Sequence, residues 1–417
     1  MNLICFSHLR WNFVYQRPQH LLSRSSKKFQ TYYVEEYVPT NLEDGYSIKQ
    51  IEENLFVVIP HLCNNSTSSD SINQRLEVVL KRLFETEKLY SYLFWYYTPM
   101  ALLFTENFRP SVTIYDCMDE LSAFKFAPNE IKTLERKLLD KSDIVFTGGH
   151  TLYQAKKNDH KNIFPFPSSI DKAHFLKARS GKKDPVDQQN IPHPRIGFYG
   201  VIDERFDIEL LKESADLKPD LHFVIIGPVV KIDPESLPQR SNIHYLGIKN
   251  YQDLPQYLSG WDISLIPFAI NESTKFISPT KTPEYLCGGK RVISTPITDV
   301  VHPYGNEGLA SIVNNSAELA QAVDEILLSK NDEEWLEKVD AFLENTSWDV
   351  TWDNMAAIIN NQIRKKHLRT TTKKIPSLPE YMIGNSVLSD RLARKSSKTV
   401  LLLDEKSQSP RGKLRSS

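Results

Sequence analysis

The sequence contains no apolar run approaching the roughly 18 residues that a membrane-crossing helix requires. Cysteine is scarce, with four in 417 residues, at Cys5, Cys63, Cys117 and Cys287. No two of them have metal-ligand spacing, and so few in a long chain argue against a disulfide framework. A reduced, cytoplasmic setting is the expectation. Also lacking are a paired-histidine helix motif, an Asp-x-Asp doublet, a Gly-x-Gly-x-x-Gly turn and a Walker phosphate loop. Without them, metal-dependent transfer, dinucleotide oxidoreduction and ATP hydrolysis lose their main support, so neither a metal site nor a cofactor is expected. The opening Met1-Asn2-Leu3-Ile4-Cys5-Phe6 has no charged leader and no small-residue cleavage site, and reads as a first strand.

Net charge is also nearly absent, 51 Lys/Arg standing against 52 Asp/Glu. The balance is uneven, because from Arg364 to Ser417 there are 14 basic and 4 acidic residues. Such a stretch is either a solvated, unfolded terminus or a peripheral contact with anionic membrane, each basic residue near a lipid surface contributing about 1 kcal/mol. It has no recognisable nucleic-acid-binding fold, and nucleic acid is not an expected partner.

What is present is globular material. Hydrophobic residues make up 40% and charged residues 25%, in a chain longer than one core ordinarily covers, so two domains are expected. Short runs rich in β-branched and aromatic residues recur: Thr31-Tyr32-Tyr33-Val34, Leu55 to Ile59, Tyr92 to Tyr96, Val112 to Tyr115 and Ile144 to Phe146. Helical patterns separate several of them, which argues for an α/β fold with parallel sheets covered on both faces. Around 164–187 the texture turns extended and breaker-rich, marking a boundary. Strands then resume at Arg195 to Gly200, Leu221 to Gly227, Ile243 to Gly247, Ile263 to Pro267 and Arg291 to Thr295, with helices over Ile208 to Ala215 and Ser316 to Ser329. Two doubly wound units in series place a ligand in the cleft at the carboxyl ends of the strands.

The most informative stretch runs Ser278-Pro279-Thr280-Lys281-Thr282-Pro283-Glu284-Tyr285-Leu286-Cys287-Gly288-Gly289. Ser278-Pro279 opens a helix that reaches Leu286, and the two glycines end it. Free amides and positive potential at such a start suit a pyrophosphate, Lys281 adds a full charge, and Glu284 can accept from a ribose diol. The alternative is an ordinary helix with a lysine and a glutamate on its exposed side.

This segment resembles the donor-site signature of GT-B glycosyltransferases related to family 4 (group 1), closest to the bacterial surface-polysaccharide and teichuronic-acid type. Phe164 to Phe175 is similar to that family's interdomain linker, Gly197 to Asp207 to the opening strand and loop of its second domain, and Ser347 to Trp352 to its C-terminal helix. The resemblance implies two facing Rossmann-like domains: 1–170 for the acceptor, a linker over 171–192, 193–345 for the nucleotide sugar, a helix over 346–368 crossing back, and a basic tail over 369–417. It implies donor contacts from Gly200, Arg205, Ser278, Thr280, Lys281 and Glu284. Two departures stand out. Phe276 occupies the place of the family's first donor-site glutamate, leaving Glu272 or Asn271 nearby, and Val201 replaces the arginine after Gly200, so that Arg205 or Lys281 inherits the cationic duty.

In the first domain, Tyr115-Asp116-Cys117-Met118-Asp119-Glu120 follows a strand. Asp116 or Asp119 can serve as base or orient the acceptor, while helix capping is the equal alternative for Asp119. Arg17 and His20, near a helix start, are candidate acceptor or phosphate contacts, or else a surface arginine and a packed histidine. His150, after Gly148-Gly149, is a weaker candidate. The expected activity is transfer of a hexose from a nucleoside diphosphate sugar, UDP-linked, to a surface polysaccharide or lipid-linked acceptor, without metal, in the cytoplasm or on the inner face of the plasma membrane. The rivals are a nucleotide-sugar epimerase of the same fold and a non-catalytic scaffold subunit.

Overall fold

The computed structural model describes residues 1–64, 70–181, 183–329 and 332–373. The chain divides into a unit Met1–Lys366 and a unit His367–Ser417. Of the second unit, residues 367–373 are helical, and the remainder of the expected basic tail lies outside the described residues. No helix among the described residues is long and apolar enough to cross a membrane.

The first unit holds two sheets. The first is built from β1 (Asn2–Phe6), β2 (Gln30–Val34), β3 (Val38–Thr40), β4 (Gly45–Glu52), β5 (Leu55–Cys63), β6 (Tyr92–Tyr96), β7 (Thr113–Cys117), β8 (Ile144–Thr147) and β9 (Ile163–Pro165). Its order is β3-β5-β2-β1-β6-β7-β8-β9, all parallel, with β4 laid antiparallel on β5. β1 and β8 are almost wholly buried because helices cover both faces, which is why they read as unbroken apolar runs. β4 has no such run; its Ser47, Lys49 and Gln50 face solvent, so its sequence carries no strong strand signal.

The second sheet contains β10 (Arg195–Tyr199), β11 (His222–Ile226), β12 (Ile243–Gly247), β13 (Ile263–Ile266), β14 (Arg291–Ser294) and β15 (Ala310–Ile312). The order β12-β11-β10-β13-β14-β15, parallel throughout, is that of a dinucleotide-binding Rossmann sheet. Connections leave β10 and β13 in opposite directions, and the crevice beyond their carboxyl ends opens where Gly200 and Phe268 lie.

Each lobe has its own core, but the chain does not end in the second one. The helix Asp332–Phe342 contributes Trp335 and Val339 to the second core. The helix Trp348–Lys373, which runs five residues past the expected end, then buries Trp348, Trp352, Met355, Ala356 and Ile359 in the first. Trp348 also donates its amide to the Ile170 carbonyl at 3.0 Å, tying the returning helix to the interlobe linker.

Candidate functional site

β10 ends at Gly200, whose φ of 150° lies where side chains are strained. A Cβ there would fall 2.3 Å from Cε of Lys281. Glycine is therefore what lets the lysine approach the strand end. Lys281 opens the helix Lys281–Cys287; Ser278 and Pro279, expected inside it, form its extended approach. Its ammonium rests over the rings of Phe198 at 5.4 Å and Phe268 at 5.5 Å. Burial, and then the Arg205 charge, lower it to about 8. Lys281 is half-buried, whereas Glu284, one turn on, is buried, and burial raises its carboxyl to about 8; Tyr199 Oη donates to Glu284 Oε2 at 2.8 Å. Neither side chain is the exposed group that an ordinary surface helix would present. Arg205 is held by Asp203, with Nε at 2.9 Å and Nη2 at 2.7 Å from its oxygens.

These groups border a cavity of about 500 Å³, lined in the second lobe by Gly200, Val201, Arg205, Thr280, Lys281 and Glu284 and closed from the first lobe by 11–16. Of the expected donor-site residues, only Ser278 is missing from the lining. It sits on the seam between lobes, where Ser168 donates its hydroxyl to the Ser278 carbonyl.

The first-lobe expectations divide. Asp116 is fully buried and both its oxygens accept from Arg17, Nε to Oδ2 at 3.0 Å and Nη2 to Oδ1 at 2.8 Å; Arg17 Nη1 donates to the Phe166 carbonyl at 2.7 Å. Both are thus corrected to an internal ion pair, since both side chains are buried and neither lines the cavity. His20 is corrected likewise: it is buried, stacked on Trp348 at 4.7 Å, and held neutral by desolvation. Asp119 differs. Its side chain caps no helix, because the turn Leu121–Ala123 begins at Glu120 without a side-chain cap. Burial raises its carboxyl, against the pull of Arg205 from the opposite lobe, and it is not among the residues that line the cavity. His8 lies in the loop after β1. Burial and then the Lys231 charge lower His8 to about 4, and its Nδ1 finds no partner among the described residues.

The seam explains other motifs. Asp299 of the second lobe accepts from the amides of His150 at 2.9 Å and Thr151 at 3.0 Å, capping the helix His150–Lys156 across the lobes. A Cβ on Gly149 would meet Asp299 Oδ2 at 2.3 Å. The glycine pair thus admits a carboxylate, and the His150 ring stays exposed. Phe276 packs against the apolar cluster on the other lobe. Asn271 turns back on Ser273 and Thr274, and Glu272 lies 4.0 Å from Lys275, so neither lines the cavity. Among the described residues no group of three or more His, Cys, Asp or Glu is arranged to hold a metal ion. The aromatic wall of Trp11, Phe13, Tyr15, Tyr199 and Tyr251 was missed; only Tyr199, beside the strand-end glycine, carried a local signal.

Comparison with known proteins agrees with this geometry. Residues 193–329 match the family described as glycosyl transferases group 1. A curated protein named as a candidate teichuronic acid biosynthesis glycosyltransferase, TuaH of Bacillus subtilis (strain 168), is 24% identical, over 48% of this chain and 54% of its own. The chain spans about half the length of that relative. Among solved structures, sucrose-phosphate synthase from Thermosynechococcus elongatus matches with a TM-score of 0.62 at 14% identity, covering 88% of this chain and 100% of that one. An α,α-trehalose-phosphate synthase (UDP-forming) from Burkholderia vietnamiensis gives 0.63 at 13%, covering 87% and 100%. Anabaena Alr3699/HepE in complex with UDP and glucose gives 0.60 at 13%, covering 86% and 99%. At these identities the likeness is one of fold, and the fold is GT-B, as the sequence resemblance implied.

Because Asp116 is buried and paired, Arg17→Met is expected to cost about 3–5 kcal/mol in denaturant unfolding, by stranding a buried charge. The double variant Arg17→Met/Asp116→Leu should recover much of that loss. A single variant of unchanged stability would show that the pair is not structural.

Proposed function

We propose that the protein is a metal-independent glycosyltransferase that moves a hexose from a UDP-linked donor to a surface-polysaccharide or lipid-linked acceptor. The observation that carries this reading is Lys281, a half-buried ammonium lying over two aromatic rings at the mouth of a glycine strand end, with no carboxylate in ion-pairing contact among the described residues. A partly desolvated charge without a counter-ion is costly, and an incoming diphosphate supplies one. The same charge stabilises the diphosphate as it leaves the sugar, when negative charge on it is greatest. Arg205 adds to that field, and Glu284 accepts from the ribose diol. The match to glycosyl transferases group 1 over 193–329, and the UDP and glucose in complex with Anabaena Alr3699/HepE, support the donor class. The Bacillus relative's name supports the acceptor class.

Asp119, on the first lobe, takes or orients the acceptor hydroxyl proton through its raised carboxyl. Closure of the lobes over the donor excludes water from a reactive sugar. The basic stretch beyond Lys373 holds the enzyme at an anionic membrane surface, on the cytoplasmic side, where a lipid-linked acceptor is found.

At neutral pH Lys281 is charged and the Glu284 carboxyl is protonated, so the site favours an anion. Above about 8 both lose protons and the local charge turns negative. UDP affinity, measured by calorimetry, should be flat from about pH 6.5 to 7.5 and fall about tenfold per unit above 8. Lys281→Ala should weaken UDP at least tenfold at pH 7 and flatten the profile, by removing a charge-assisted bond of about 1.5–3 kcal/mol. UDP binding that ignores both changes would sink the donor assignment. Turnover, read as UDP release from UDP-sugars with a lipid-extract acceptor, should be unaffected by EDTA; loss restored by a divalent ion would contradict metal independence. Finally, the full chain should sediment with phosphatidylserine vesicles at low salt and come off at high salt. Equal sedimentation of a chain cut after Lys373 would disprove the tail's part.

A further inference from the structure

One cavity is lined by Gly200, Arg205 and Lys281, by Glu284 one helical turn after Lys281, and by Tyr251 and Tyr15. Cation, carboxylate and aromatic ring, the partners that the diphosphate, diol and base of a nucleotide require, thus share one space.

The Tyr251 ring is unusually well fixed. His174 stacks on it with centroids 4.4 Å apart and planes 15° from parallel, and His174 Nε2 lies 2.9 Å from the Tyr251 carbonyl oxygen. Tyr15, from the opposite lobe, stacks at 4.3 Å and 22°. Two near-parallel rings this close to one centroid must occupy its two faces. The Tyr251 hydroxyl finds no partner among the described residues, while Tyr15 is 38% exposed and lines the cavity. The edge of Tyr15 is braced in turn by buried His20, at 4.7 Å and 84°.

We propose that Tyr15 is a further donor-binding residue, supplied by the first lobe: backed by Tyr251 and His174, it offers the nucleobase a rigid aromatic platform. The inference rests on the donor reading given above. An aromatic surface already ordered before binding costs little entropy when a base stacks on it. Tyr15 and Tyr251 come from different lobes, whereas Lys281, Arg205 and Gly200 all belong to the second. The base is therefore stacked only when the lobes are together, whereas the ribose and the phosphates are read by the second lobe alone.

The test compares UDP, ADP, GDP and inorganic pyrophosphate by calorimetry on the full chain and on Tyr15→Ala and Tyr15→Phe. Tyr15→Ala is expected to weaken the tightest nucleotide about tenfold, the typical worth of one base–aromatic stack. Pyrophosphate affinity should stay unchanged, and Tyr15→Phe, which keeps the ring, should bind both as the parent does. Equal losses for nucleotide and pyrophosphate, no loss for either, or a Phe variant as weak as the Ala variant would each overturn the proposal. If the parent protein binds pyrophosphate as tightly as every nucleotide, the nucleoside end is misassigned and the proposal falls. If the parent binds none of the four probes, the donor reading itself has failed, which is a different result from an unresponsive Tyr15.

Discussion

A single ammonium, that of Lys281, sets the terms for the second lobe. Partly desolvating a lysine is costly unless its charge is answered, and here the answer from the protein is only partial: two ring faces and a neighbouring carboxyl that burial keeps largely protonated at neutral pH. Holding that arrangement requires a strand end with no side chain at Gly200, a helix that begins at Lys281 rather than earlier, and a second strand that delivers Phe268. The Rossmann order of the sheet provides all three, because its crossover point brings the ends of β10 and β13 to one crevice. The site is therefore a product of topology before it is a product of particular side chains.

The first lobe contributes by closing rather than by charge. Its Arg17 and Asp116, which look like site residues in sequence, neutralise each other inside the lobe and hold the linker at Phe166. The second lobe answers the first through Asp299, whose carboxylate satisfies amides at the start of the helix His150–Lys156. Such an exchange couples the cleft's geometry to hydrogen bonds that neither lobe can complete alone.

The sequence foretold the parallel α/β sheets because doubly covered strands leave apolar runs, as β1 and β8 do. β4, with most of its residues in solvent, left no such trace. Lys281 and Glu284 were legible because charged residues around a helix start beside a Gly-Gly end are a local pattern. Their burial was not, since it depends on Phe198 and Phe268, 83 and 13 residues earlier in the chain than Lys281. For Asp116 and Asp119 the sequence offered two carboxylates three residues apart and no means to rank them. That Asp116 is the one to meet a buried arginine is decided by where residue 17 comes back to the strand, a contact spanning 99 positions. The aromatic wall is the same case: Tyr15 and Tyr251 have no relation until the lobes face each other.

The return of the helix Trp348–Lys373 into the first core has a mechanical consequence. The lobes are joined by two covalent strands, the linker after β9 and the segment leading into Trp348, and the two are pinned side by side where Trp348 donates to Ile170. A body hung from one flexible thread can twist, slide and tumble. A body hung from two threads that meet at one edge swings like a book cover about its spine, so opening the cleft and keeping its walls in register become one and the same motion.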